Sequence, residues 1–365
     1  MSETNKLFAS LTGSRVDIES KIKTSLNKEK TFKEIVWLIP AGIKYTTSPV
    51  IGPKIGEFIN LIADELGVDK DKIFAEDGIL DFKEQLAQSL TSITKWDGTS
   101  FEEPEYDEET KTYILSKPEH LAWLSKTITV DNTIGKTYKL DADIDLDNKD
   151  WTPIGTVTGS VKNNPNAIYF KGTFDGNNHT IKNLSIDVED EYAKTGLFAM
   201  SRGTIKNLKI TNSKIRSTHY AGFVVAYNNG GPCIIENCEV TDSEIIDVPE
   251  NSTGSWDNGD KAGGIIGYVS SVDSIIKDCK VKNVSIKAYR DLGGICGYAE
   301  TNTGNITFEN NKVENVTLIQ DLNNGYKDFS AVENHYGPIY GWKGTKPLTV
   351  IGEEGTINFK LIEVE

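Results

Sequence analysis

Five segments in the second half of this chain are versions of one unit, and that repetition constrains the fold more than any other feature. They are Gly196-Leu197-Phe198-Ala199, Gly222-Phe223-Val224-Val225-Ala226-Tyr227, Gly263-Gly264-Ile265-Ile266-Gly267-Tyr268, Gly293-Gly294-Ile295-Cys296-Gly297-Tyr298 and Gly337-Pro338-Ile339-Tyr340-Gly341-Trp342. A second phrase runs between them. Ile181-Lys182-Asn183-Leu184-Ser185-Ile186 returns at Ile205–Ile210, Ile235–Val240, Ile276–Val281 and Phe308–Val313. Self-similarity at such a period marks stacked repeats, in which no unit buries its apolar face alone.

The local pattern favours strands. Leu184 and Ile186 alternate with Asn183 and Ser185, a period of two. Val281, Val284 and Ile286, then Val313, Val316 and Leu318, supply the branched residues that pack well on a pleated surface. Amphipathic helical spacing is absent from every copy, which argues against helical repeats. Counting from Asn183 through Asn207, Asn237, Asp278 and Asn310, the steps are 24, 30, 41 and 32 residues. Most are too short for a propeller blade of roughly 40–50 residues. A coil of two or three strands with variable outer loops is expected, in a stack of about five to six coils, each rising about 4.8 Å. The longest steps locate inserted loops near 246–261 and 320–335. The glycine pairs imply either positive φ at a corner or close approach of neighbouring coils. The asparagines imply an amide ladder or turn caps.

Trp151-Thr152-Pro153-Ile154-Gly155, Phe170-Lys171-Gly172-Thr173-Phe174-Asp175-Gly176-Asn177-Asn178-His179-Thr180-Ile181 and the repeated Gly-Leu-Phe and Gly-Gly-Ile units follow in order. In this combination, from about Tyr138 to Trp342, the chain resembles the GLUG-repeat proteins of bacterial surfaces, many of them from Bacteroidetes. The resemblance implies a right-handed parallel β-helix-like solenoid and an exported protein, with a lipid anchor outside this sequence. It implies no activity of its own.

Composition narrows the partners. With 54 acidic against 39 basic residues the net charge is −15, which disfavours nucleic acid and anionic membrane. No apolar run reaches the roughly 18–20 residues of a membrane-spanning helix. The Met1-Ser2-Glu3 start carries no signal peptide, so the extracellular or outer-membrane surface location rests on the resemblance. Cys233, Cys238, Cys279 and Cys296 read as small buried apolar residues, because Cys238 and Cys279 stand where Leu184 and Leu208 stand in earlier copies.

Along the chain, residues 1–30 read as a polar tether or loose helix and 31–95 as a small helical domain or cap. The segment 96–136 is a lead-in containing a hairpin or loop at Phe101–Thr112 and a short helix from Pro118. The solenoid occupies 137–365. The overall class is mainly β, preceded by a small mainly helical region.

No residue is assigned a catalytic role. Asp141, Asp143, Asp145 and Asp147 alternate with apolar residues, which places four carboxylates on one strand face and makes a Ca²⁺ site chemically sensible. No other cofactor is expected. The resemblance also brings in the immunoglobulin A proteases, with which such repeats are sometimes grouped. His120, His179, His219 and His335 form no His-Glu-x-x-His pair, so zinc protease chemistry is not supported. Trp256 and Asp257 in the first insert, Tyr326 in the second and His335-Tyr336 at its end combine aromatic rings with polar groups, as sugar or protein recognition needs. The expected function is non-enzymatic, adhesin-like binding of a glycan or an extracellular host or matrix protein. A carbohydrate-active β-helix enzyme and a structural stalk are the alternatives.

Overall fold

The structure is a computed structural model that describes residues 96–156, 167–188, 193–247, 261–271, 273–300, 305–321, 335–344 and 348–362, all within the compact unit Trp96–Glu365. The expectations for 1–30 and 31–95, and those for Trp256, Asp257 and Tyr326, lie outside the described residues.

The described chain is mainly β, with parallel strands in several sheets, as a β-helix-like fold requires. One turn of the chain shows the plan. Thr204–Lys206 lies in sheet I, and Lys209–Thr211 with Lys214–Ser217 in sheet II. Tyr220–Gly222 follows in sheet III and Val225–Asn228 in sheet IV. The chain then re-enters sheet I at Ile234–Glu236, where Ile205 faces Ile235 in parallel register. Short strands in four sheets therefore replace the two or three strands expected per coil. Sheet I begins with an antiparallel hairpin, Glu105–Asp107 against Thr112–Leu115, and the helix Pro118–Thr127 follows it.

Register stacks like on like. Phe174, Ile205, Ile235, Ile276 and Phe308 form one inward column. Ile181, Ile210, Val240, Val281 and Val313 form another. All are at most 2% exposed and belong to one continuous core. Each such side chain withdraws enough apolar surface from water to contribute about 1.5–3 kcal/mol, and no coil supplies both walls of its own pocket.

Asparagines turn the chain at two places per coil. Asn207, Asn237, Asp278 and Asn310 take φ of 50–54° between sheets I and II. Asn183, Asn212, Asp242, Asn283 and Asn315 take φ of 49–59° at a kink within sheet II. Asn and Asp tolerate this left-handed region better than other residues with a Cβ. Their amides run from coil to coil: Asn237 Nδ2 donates to Asn207 Oδ1 at 2.8 Å and Asn315 Nδ2 to Asn283 Oδ1 at 2.8 Å. The expected ladder is therefore two ladders, and Asn183 belongs with Asn212, 29 residues on, rather than with Asn207. Ile181 pairs with Ile210 and Ile186 with Ile215, so the first copy of the phrase sits half a step out of phase with the others.

Candidate binding surface

Sheets III and IV form the two arms of a flat arch in each coil. Its tip residues, Leu197, Phe223, Ile265, Ile295 and Ile339, lie in the main core. The arms touch backbone to backbone because glycine occupies the contact. A Cβ on Gly297 would lie 2.6 Å from the Ala262 nitrogen and 2.7 Å from the Gly267 oxygen. None of Gly222, Gly263, Gly293 or Gly297 has positive φ, so close approach, not a left-handed corner, explains them.

The mouth of the arches is a furrow filled by its own side chains, with two lips, and Lys194, Lys261, Asp291 and His335 there are at most 9% exposed. On the sheet III lip, Lys194, Tyr220 and Lys261 follow one another in register, and Asp291 pairs with Lys261. Leu292 pairs with Tyr336, so His335 stands next to Asp291. On the sheet IV lip the column is Met200, Tyr227, Tyr268, Tyr298 and Trp342. The tyrosines stack, with centroids 4.9 Å apart and planes at 8° for Tyr227–Tyr268, then 5.3 Å and 14° for Tyr268–Tyr298. Met200, Tyr227, Tyr220 and Tyr268 belong to a small cluster of their own, apart from the main core. The lips are joined by cation–π contacts. Lys194 Nζ lies 5.6 Å from the Tyr220 centroid and 5.8 Å from that of Tyr227. Lys261 Nζ lies 5.1 Å from Tyr220 and 5.5 Å from Tyr298. Desolvated contacts of this kind contribute about 0.5–2 kcal/mol each, which helps hold two largely buried lysines between the lips.

Ionisable groups are concentrated here. His335 Nδ1 meets Asp291 Oδ1 at 2.5 Å, and its ring stacks on Trp342 at 4.0 Å. Asp291 is fully buried, and its Oδ2 has no hydrogen-bond partner. His219, whose carbonyl accepts from the Lys261 N–H, also has an unpartnered buried Nδ1. Burial first, then the charges of Lys261 and Lys194, hold its imidazole well below its ordinary value of 6.5. The unfolded chain thus binds a proton below 6.5 that the folded one refuses, so stability falls as pH drops through that value. One such group gives a slope of at most about 1.4 kcal/mol per pH unit. Thermal unfolding at pH 7.5 and pH 5 should show this acid loss, and His219→Phe should reduce it.

Of the residues expected from sequence, His335 is in the furrow and Tyr336 is beside it, stacked on Phe359 at 3.5 Å. The four aspartates do not converge. Only Ile144–Asp145 is a strand, and Asp147 and Asn148 turn the chain with φ of 51° and 55°. Asp143 accepts from the Thr180 N–H at 2.8 Å and meets His179 at 3.3 Å. Asp145 accepts from Asn183 at 2.6 Å and pairs with Lys182 at 3.1 Å. Among the described residues, no three or more His, Cys, Asp or Glu side chains gather to hold a metal ion. All four cysteines are free and buried, and burial pushes the Cys233 thiol up to about 12. The lip column Lys194, Tyr220, Lys261 and Asp291 holds no constant residue type from rung to rung, so no sequence pattern announces it. The Gly-Tyr recurrence at 267–268 and 297–298 is the visible trace of the other lip.

No family model matches the chain, and no solved structure matches it. It is similar to Halomucin of Haloquadratum walsbyi, 30% identical in a match 156 residues long that covers 39% of this chain. The matched region spans about 1% of the length of that curated relative.

Proposed function

We propose that the chain is a non-enzymatic, adhesin-like binding protein of the cell surface or the secreted fraction, recognising a glycan through segments rooted on the sheet III lip. Its frame is a right-handed parallel solenoid of about five to six coils of the GLUG type, with a small helical region ahead of it. One observation carries the reading. Passing from sheet II to sheet III, the chain makes a two-residue turn at Thr218-His219 and again at Tyr289-Arg290. In alternate coils the same crossing is replaced by an insert, which rejoins the described chain at Lys261 and at His335. Both inserts, with Trp256 and Tyr326, are thus rooted in one register column, separated by the single coil of Asp291. Insertions confined to one face of a repeat stack are the usual route by which such proteins acquire a binding face. The similarity to a protein named as a mucin supports an extracellular setting.

A glycan array probed with the intact chain and with Trp256→Ala tests this. Binding should fall at least thirtyfold in the variant, as removal of a central aromatic contact of about 2 kcal/mol predicts. Binding left intact in both Trp256→Ala and Tyr326→Ala would remove the inserts from recognition. A chain that binds no glycan would overturn the sugar ligand.

A further inference from the structure

We infer a second recognition site, for the carboxylate of an acidic sugar, where the chain passes from sheet IV back into sheet I. A groove of about 360 Å³ there is lined by Lys136, Lys171 and Arg202 and by the hydroxyl-bearing Thr137, Thr173 and Thr204. The inference rests on the reading of this chain as a glycan binder, but it uses a different face and different residues.

Three successive rungs of sheet I build the groove, since Thr137 pairs with Thr173 and Thr173 with Thr204. Each rung delivers one cation just before its threonine. In a chain of net charge −15, three cations meeting in one concavity depart from the surface around them. None is deeply buried and each is differently held. The Arg202 guanidinium lies 3.6 Å from the Tyr169 ring centroid, and its Nε donates to the Asn229 carbonyl at 2.7 Å. Its plane is set before any ligand arrives, and a fixed planar fork suits a carboxylate better than a mobile ammonium does. Lys171 pairs with Asp131 at 2.7 Å, but that carboxylate is 70% exposed and an incoming one can take its place. Lys136 Nζ sits 5.6 Å from the Tyr113 ring centroid.

The ligand class follows from size, polarity and charge. The volume lies at the small end of the range for ligand sites, about 300–1,000 Å³, which accommodates one or two sugar rings. Threonine hydroxyls repeat along the stack every 4.8 Å or so, the spacing of adjacent strands, and so offer evenly spaced partners to the hydroxyl edge of a short saccharide. A long polyphosphate is disfavoured by the net negative charge beyond the groove. A single carboxylate set among neutral hydroxyls is not.

Calorimetric titration of the full chain at low salt distinguishes the outcomes, with a hyaluronan tetrasaccharide as the carboxylated probe and chitotetraose as its neutral counterpart. The expected result is measurable binding of the first alone, weakened at least tenfold in Arg202→Gln and in Lys136→Gln/Lys171→Gln, and strengthened in Asp131→Asn. The double variant leaves the Tyr169 stack intact, and circular dichroism checks that each variant folds. Equal binding of both probes, binding unchanged in the folded variants, or full competition by inorganic phosphate at equal concentration would overturn the inference. So would absence of binding in the natural chain. Array binding that depends on Trp256 would survive each of those results, so the two readings fail separately.

Discussion

Gly293→Ala should destabilise the chain by more than about 3 kcal/mol and lower its thermal midpoint by on the order of 10 °C. The added methyl would fall on the Cys296 carbonyl oxygen of the facing arm, and the Gly341 nitrogen of the next coil is 2.9 Å away. Both obstacles are backbone, so no rotamer change relieves them. The arms must part, and parting them pulls Ile295 from the core and breaks the Gly294 N–H bond to the Gly337 carbonyl. Gly135→Ala is the control. Nothing lies within 4 Å of its added methyl, and only its φ of 70° opposes the change, at a cost of about 1–2 kcal/mol. Equal losses in the two variants would mean that the arms are not packed as described.

Cutting out residues 248–260 and closing the gap with the Thr-His turn of the preceding coil should leave the solenoid standing. The turn already joins Arg216-Ser217 to Tyr220 in the same crossing, one rung away from the insert. The strands it would connect, Glu239–Asp247 and Lys261–Gly263, pair on both sides with neighbouring coils. Those ladder bonds and the core column do not depend on the insert. A change in thermal midpoint of only a few degrees is therefore expected, together with loss of the binding that the insert supplies. Excision thus separates fold from recognition more sharply than a point substitution in the core can.

The inward columns were legible in the sequence because every coil must bury branched apolar residues at the same two phases. The phase of the first copy was not. Both turns of each coil demand the same trio, an apolar residue, an asparagine or aspartate with positive φ and another apolar residue, so Ile205–Ile210 and Ile210–Ile215 satisfy one pattern equally well. The arches escaped for a different reason. Gly-Gly-Ile-Ile-Gly has the composition of a turn, and arms that touch through glycine leave no alternating side chains to betray them. The alternation from Leu140 to Asp147 predicts one continuous strand, but the chain leaves sheet I after Leu140, joins sheet II only at Ile144–Asp145 and turns at Asp147 and Asn148. In the furrow, Tyr268, Tyr298 and Trp342 recur at a fixed offset from glycine. Lys194, Lys261, Asp291 and His335 are brought together by register alone. Register is a property of the stack, and no single coil encodes it.

The most direct test of the account compares glycan-array binding of the intact chain with that of two excised chains, one lacking residues 248–260 and one lacking 322–334. Circular dichroism is recorded on all three. Native β signal is expected throughout, with loss of the same bound glycans in both excised chains, because the inserts share one lip. Retention of those glycans by both folded, excised chains would contradict that expectation.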